Sequence, residues 1–151
     1  GIAPIIGFNY GNRNDVQQKR VFSISMRFIG LASVLIFSIS MFGGSYIVRL
    51  FADDTSEVYQ IAANGFTIFS YSFLFCGLNN FTSAMFTALS NGKVSAVLSF
   101  LRTFGLLAGG ILLLPRIWGI TGVWLAVPAA EGIMFVASTI CLIHYRKKYS
   151  Y

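Results

Sequence analysis

Charged side chains are scarce in this sequence of 151 residues. Asp, Glu, Lys and Arg make up 11% of it and apolar residues 56%, whereas charged residues are about a quarter of an average globular domain. No charge lies between Arg27 and Arg49, or between Glu57 and Lys93. Such long charge-free windows are typical of helices that span a bilayer. The composition excludes a water-soluble globular domain and predicts an integral membrane protein.

Residues that usually carry catalysis or bind metals are also few. Cys76 and Cys141 lie in apolar segments without CxxC spacing, so we expect neither a disulfide framework nor a metal site. The only histidine is His144, and the sequence has no Ser-His-acid set, HExxH motif or nucleotide-binding loop. The sequence therefore disfavours an enzyme and predicts no cofactor. Because the basic residues stand at the ends of apolar segments, we expect no nucleic-acid partner.

The hydropathy pattern predicts an all-α membrane protein with four complete spans and the end of a fifth. The second window is longer than the ~20 residues that cross a bilayer, so we expect this span to be tilted or kinked. Pro115 is expected to end the third span because it cannot donate a backbone hydrogen bond. The absence of an initiating Met and of a signal peptide predicts a missing N-terminal part. The predicted complete spans are about 21–50, 59–89, 94–114 and 120–143, and residues 1–10 form the end of a truncated span.

The positions of Lys and Arg predict the orientation of these spans. Nine of the eleven basic residues fall on the side that holds the C-terminus, and only Arg49 and Arg116 fall on the other. Because cytoplasmic loops are enriched in Lys and Arg, we expect the C-terminus to be cytoplasmic. Arg27 and Arg102 lie inside their spans, and we expect them to snorkel to the cytoplasmic interface.

Two spans contain polar groups that an inert anchor would not need. The second span carries Tyr71, Asn79 and Asn80 among other polar residues, which should face other helices or a water-filled cavity. Neighbouring residues point about 100° apart on a helix, so at most one of the two asparagines can face a single narrow interface. Interhelical hydrogen bonding and the lining of a substrate path are both open for these residues.

Glu131 is the only acidic residue inside a predicted span. An ionisable residue in a membrane helix is by default a candidate functional site. A structural role, with the carboxylate bonded to an Asn, a Ser or an Arg of a neighbouring helix, is the alternative. The candidate residues of a substrate or ion pathway are thus Glu131, Asn79, Asn80 and Tyr71, with no catalytic or metal-binding residue.

Three stretches together resemble multidrug and toxic compound extrusion (MATE) transporters. Residues 4–14, PIIGFNYGNRN, resemble the end of helix eight and the following loop. Residues 88–95, ALSNGKVS, continuing to Arg102, resemble the turn between helices ten and eleven. Residues 118–126, WGITGVWLA, with Pro128 and Glu131, resemble the start of helix twelve. Their order and spacing cover essentially the whole sequence.

The resemblance implies a twelve-helix exporter of two six-helix lobes, of which this chain is the C-terminal portion from late helix eight to helix twelve. It implies a multi-pass protein of the plasma membrane, which we expect to be bacterial. Its partners would be the lipid bilayer, the N-terminal lobe of the same chain and a small organic substrate, and Na⁺ or H⁺ would be the coupling ion.

One departure from the family pattern concerns helix ten. Members with a cation site in the C-terminal lobe carry an acidic residue there, and residues 59–89 contain none. The resemblance therefore favours a multidrug antiporter that exports toxic, often cationic compounds, without assigning its ion site. A lipid-linked oligosaccharide flippase of the same superfamily and a non-transporting membrane scaffold are the alternatives, because a fold does not fix a substrate.

Overall fold

The computed structural model describes all 151 residues, and it contains helices throughout with no strand. The helical segments are α1 Ala3–Gly11, α2 Asp15–Arg49, α3 Glu57–Ser70, α4 Phe73–Ala88, α5 Gly92–Phe100, a π-helical segment Leu101–Leu107, α6 Ala108–Trp118 and α7 Ile120–Tyr149. Three continuous stretches are long and apolar enough to cross a membrane, and the bent pair of α3 and α4 makes up to four. The prediction of an all-α membrane protein is confirmed.

Polar caps set where the helices begin. The Asn14 side chain accepts a hydrogen bond from the Gln17 amide at 3.1 Å, so α2 starts at Asp15 rather than at the predicted residue 21. The Asn91 side chain likewise accepts from the Val94 amide at 3.3 Å and starts α5 after the predicted turn. The hydropathy windows marked the apolar part of each helix, whereas the caps lie in polar sequence outside it.

The second predicted span is broken between α3 and α4, which meet at a bend of 48°. At the break, the amides of Tyr71 and Ser72 bond the carbonyls three residues earlier, at 3.3 and 2.9 Å. The hydroxyl of Ser72 donates to the Phe69 carbonyl at 2.7 Å. A serine hydroxyl that bonds to a nearby carbonyl competes with the backbone ladder and bends a helix. The predicted kink is therefore present, without Pro or Gly at its centre.

The prediction that the third span ends at Pro115 is wrong. The helical stretch continues to Trp118, because a proline near the end of a helix removes only one hydrogen bond and has a helical φ. The Pro115 carbonyl still accepts from the Gly119 amide at 2.8 Å. Gly119 ends the helix, since its φ of +59° is a conformation that favours glycine.

Close helix packing depends on small residues. The buried face of α2 includes Ser25, Ser33, Ser40 and Gly44 and lies against α3 and α4. Its opposite face carries exposed apolar side chains, which suit contact with lipid. Between α3 and α7, Gly65 lies directly under the Trp124 ring, where any Cβ would overlap the indole. Small residues therefore decide which helices can approach closely.

The apolar core lies where α1, α2, α4 and the end of α7 meet. It is centred on Met85, Phe86, Leu89 and Met134, all of which are fully buried. Tyr151 closes this core, and its hydroxyl donates to the Leu142 carbonyl at 2.8 Å. Burial raises the pKa of the Tyr151 hydroxyl above its ordinary value. The position of α4 at the centre of the bundle brings its polar residues to both α5 and α7.

Candidate functional site

A cluster of four polar side chains lies where α4, the π-helical segment and α7 meet. It consists of Asn79, Asn80, Arg102 and Glu131, and we call it the Arg102–Glu131 network. The Glu131 side chain is 8% exposed and that of Arg102 is 29% exposed. The helices that carry it are otherwise mostly apolar, so this network is a polar cluster inside predicted membrane spans.

Both oxygens of the Glu131 carboxylate have donors from other helices. Arg102 Nε donates to Glu131 Oε1 at 2.8 Å, and Asn79 Nδ2 donates to Glu131 Oε2 at 2.7 Å. Asn79 Nδ2 also donates to the Glu131 backbone carbonyl at 2.9 Å. Arg102 Nη1 donates in turn to Asn80 Oδ1 in a short hydrogen bond. Charge-assisted hydrogen bonds of this kind are about twice as strong as neutral ones, so the network ties three helical elements together.

The expectation that Arg102 snorkels to the cytoplasmic interface is wrong. Its guanidinium pairs with Glu131 at 2.8 Å instead, because a buried carboxylate offers it an opposite charge inside the bundle. Arg102 was therefore missed as a site residue, although the rule that singled out Glu131 applies equally to a charge inside residues 94–114. Arg27, the other arginine expected to snorkel, is exposed on α2.

The two neighbouring asparagines have different environments, as the helical period predicts. Asn79 is 3% exposed and bonds Glu131, whereas Asn80 lies on an exposed face and bonds Arg102. Only Asn79 faces α7 directly, and the long Arg102 side chain brings Asn80 into the same network. The sequence could not predict this second connection because it depends on the position of another helix.

Tyr71 lies outside the Arg102–Glu131 network. It stands at the break between α3 and α4 with a half-exposed ring, 5.3 Å from the ring centroid of Phe37. Its hydroxyl takes no part in the hydrogen bonds around Glu131. Of the four sequence-predicted residues, the structure thus brings Asn79, Asn80 and Glu131 together and leaves Tyr71 apart.

The π-helical segment Leu101–Leu107 gives this site an unusual backbone. It interrupts the long helix Gly92–Trp118 at the turn that carries Arg102. Short π-helical stretches are rare and often occur at functional sites, because the extra residue per turn redirects the side chains. A pocket of about 230 Å³ opens beside it, lined by Arg102, Thr103, Leu107, Val127, Ala130 and Glu131.

One buried acceptor in the network has no donor. Asn79 Oδ1 makes no hydrogen bond although the residue is 3% exposed. An unpaired buried oxygen is costly and would be satisfied by a water or a cation. No group of three His, Cys, Asp or Glu residues could hold a metal ion in this chain. The chemistry available here is thus one carboxylate, one guanidinium and two amides, which can hold a charged or hydrogen-bonding group.

Hydroxyl groups continue this polar region along the hairpin of α4 and α5. The Ser83 hydroxyl lies 2.8 Å from that of Ser99 and 3.1 Å from that of Ser95. The Thr87 hydroxyl lies 2.7 Å from that of Ser95. Asn80, Ser83 and Thr87 follow one face of α4 at helical spacing, and Ser95 and Ser99 lie opposite them on α5. The hairpin is therefore held by interhelical hydrogen bonds, one of the two roles left open for polar residues of this span.

One of three comparisons with known proteins found a match for this chain. The MatE family model matches residues 1–109, which include Asn79, Asn80 and Arg102, whereas Glu131 lies beyond the matched range. Neither the curated proteins nor the solved structures gave a match. The matched range covers the first, second and most of the third predicted spans, and the all-helical membrane architecture agrees with it. The chain belongs to the MatE family of membrane transporters.

Proposed function

We propose that these residues form the C-terminal part of a twelve-helix antiporter, which exports drugs or toxic organic compounds in exchange for Na⁺ or H⁺. Alternating access requires two bodies that move against each other around a central site. The N-terminal lobe of the same protein would supply the second body. The chain acts on its substrate by moving it rather than by changing it, so we propose no enzymatic activity and no cofactor.

One observation carries this proposal. Glu131 is a buried carboxylate that is held by Arg102 and Asn79 from two other helical elements. A buried ionisable group of this kind is costly in a membrane and is usually retained for function. Its partners lie on two other helical elements, so a change in the charge of Glu131 would change the contacts between these elements and α7. This would couple ion exchange to helix movement.

The same residues are compatible with two coupling ions, H⁺ and Na⁺. A proton would bind the Glu131 carboxylate, and Na⁺ would require further oxygen ligands. Asn79 Oδ1 is an unpaired acceptor next to that carboxylate and would be such a ligand. We propose that Glu131 on α7 takes the role that an acidic residue on helix ten has in related transporters.

The flippase alternative is compatible with the same family membership. A flippase for a pyrophosphate-linked lipid would need several free basic groups in its cavity. Within the spans, the charge of Arg102 is compensated by Glu131, and Arg27 is exposed on α2, so the cluster of uncompensated cations that a pyrophosphate needs is missing here. These contacts favour the antiporter. A scaffold protein would have no use for a charged network between moving helices, which makes this third alternative the weakest.

The location that goes with this function is the plasma membrane of a bacterial cell, with the C-terminus in the cytoplasm. The distribution of basic residues supports this orientation, and it does so even without Arg102. Removal of Arg102 from the count leaves eight basic residues on the C-terminal side against two on the other. Since Arg102 is paired inside the bundle, this corrected count is the appropriate one.

The test is Glu131→Gln in the full-length transporter, because glutamine keeps the shape and one acceptor oxygen but carries no charge. We expect normal abundance in the membrane and a large loss of ion-driven efflux of a fluorescent drug between about pH 6 and pH 8. Glu57→Gln is the matched control, since Glu57 is an exposed glutamate in the first turn of α3. It should transport like the parent.

Two outcomes would contradict this function for Glu131. Efflux equal to the parent at every pH would mean that the carboxylate neither couples nor binds. A collapse in abundance with Glu131→Gln, but not with Glu57→Gln, would mean that Glu131 is a structural partner only. Abundance is measured in the same membranes by an epitope tag, so the two outcomes cannot be confused.

A further inference from the structure

The two charged side chains of the Arg102–Glu131 network differ in how many of their hydrogen-bonding groups are free. Both carboxylate oxygens of Glu131 have donors, and the side chain is 8% exposed. A guanidinium has five N–H groups, and Arg102 uses one on Nε and one on Nη1. Its other N–H groups, on Nη1 and Nη2, make no bond within the protein. The group with spare binding capacity is therefore the cation.

The pocket beside the network exposes this cation. Arg102 is 29% exposed and lines the pocket of about 230 Å³. Thr103 adds a hydroxyl next to Arg102, while Leu107, Val127 and Ala130 make the remaining wall apolar. Glu131 is the only acidic residue on this wall, and its charge is already neutralised. The wall thus presents N–H donors beside an apolar surface.

This arrangement suits one class of ligand. Guanidinium N–H groups bind a planar carboxylate through two parallel hydrogen bonds, and an apolar wall binds a hydrocarbon or aromatic body. We propose that the Arg102 pocket binds the carboxylate of a small organic acid or zwitterion, with the apolar part of the molecule against Leu107, Val127 and Ala130. The inference deepens the proposed function by naming a substrate class, and as a statement about transport it rests on that function.

The backbone supports a binding role independently of the side chains. The π-helical segment Leu101–Leu107 carries three of the pocket residues, Arg102, Thr103 and Leu107. A regular helix would place these side chains at different angles, so the unusual turn decides which of them face the pocket. Glu131 then acts as a positioning residue, because its bond to Nε fixes the orientation of the guanidinium.

The experiment measures binding, not transport, with the purified full-length protein in lipid nanodiscs. The probes are 1-naphthoate and its uncharged methyl ester, compared by titration calorimetry. We expect naphthoate to bind at least about tenfold more tightly than the ester, since one charge-assisted hydrogen bond alone gives about this ratio. Arg102→Gln should remove this difference. Arg27→Gln is the matched control, since Arg27 is an exposed arginine of α2, and it should keep the difference.

Glu131→Gln sharpens the test because it acts in the opposite direction. The glutamine oxygen still accepts from Nε and keeps the guanidinium oriented, but the negative charge that competes with the ligand is gone. We therefore expect the affinity for naphthoate to rise severalfold while the ester is unaffected. A loss of efflux with a gain in naphthoate affinity would support both proposals. Unchanged efflux with the same gain would overturn the coupling role and leave the binding proposal standing.

Further variants keep the proposal falsifiable if Arg102→Gln fails to fold. The double variant Arg102→Gln with Glu131→Gln leaves no unpaired charge and should also lose the preference for naphthoate. Equal binding of naphthoate and its ester by the parent protein would overturn the proposal. So would tight binding of inorganic pyrophosphate without binding of naphthoate, which would favour the flippase alternative.

Discussion

The contact between α4 and α7 is apolar at one end and polar in the middle. At the apolar end, the fully buried Phe86 ring packs edge-on against Tyr145 at 5.3 Å and Tyr149 at 6.3 Å between centroids. About two helical turns earlier on α4, Asn79 donates to Glu131. The same pair of helices thus uses two kinds of contact.

These two kinds of contact respond differently to change. Apolar packing depends on volume and has no fixed direction, so a conservative substitution changes it gradually. A buried polar network depends on matched donors and acceptors, so the loss of one partner leaves another unpaired. We infer that the aromatic end mainly stabilises the helix pair. The Arg102–Glu131 network is the part of this contact that a change of charge would alter most.

The largest effect on stability is expected at the aromatic end. Phe86→Ala in the full-length protein should lower the free energy of unfolding by about 4 kcal/mol, the usual cost of such a cavity. Thermal unfolding of the purified protein in detergent measures this. Phe100→Ala is the matched control, because Phe100 is 65% exposed on α5, and it should cost far less. Equal losses for both variants would show that the aromatic end is not a packed core.

A somewhat smaller effect is expected when one partner of the ion pair is removed. Arg102→Met should cost about 3 kcal/mol, because it leaves the Glu131 carboxylate buried without its cation. The double variant Arg102→Met with Glu131→Leu should recover most of this loss. A double-mutant cycle on thermal stability measures the coupling between the two residues. Additive losses would mean that the pair contributes no coupling, which would remove the contrast between the two ends.

The smallest effect is expected in the hydroxyl contacts of the hairpin. Ser83→Ala removes hydrogen bonds to Ser95 and Ser99 and should cost about 0.6 kcal/mol, the average for a hydrogen bond between membrane helices. Ser23→Ala is the control, because Ser23 is exposed on α2. The same unfolding assay applies. A cost above about 2 kcal/mol would contradict this prediction, because it exceeds what hydrogen bonds between membrane helices usually contribute.

Several features of the fold and the site could be predicted from the sequence because they depend on local patterns. Apolar windows indicated the membrane helices, the Asn91-Gly92 pair indicated the turn before α5, and the solitary carboxylate indicated Glu131. Helix ends were less predictable. The end of the third span at Gly119 rather than at Pro115 depends on a positive φ that hydropathy does not contain.

The sequence by itself determined that this protein is a bundle of membrane helices, because its charge-free apolar windows are long enough for membrane helices and far longer than the strands of a membrane barrel. It also placed a single carboxylate in that bundle. Only the tertiary structure decided the partner of this carboxylate. Arg102 and Glu131 are 29 residues apart in the chain, and their contact depends on how α4, α7 and the π-helical segment pack. The positions of charges along a chain indicate where its helices leave the membrane. Which buried charges form a pair depends on which helices pack together.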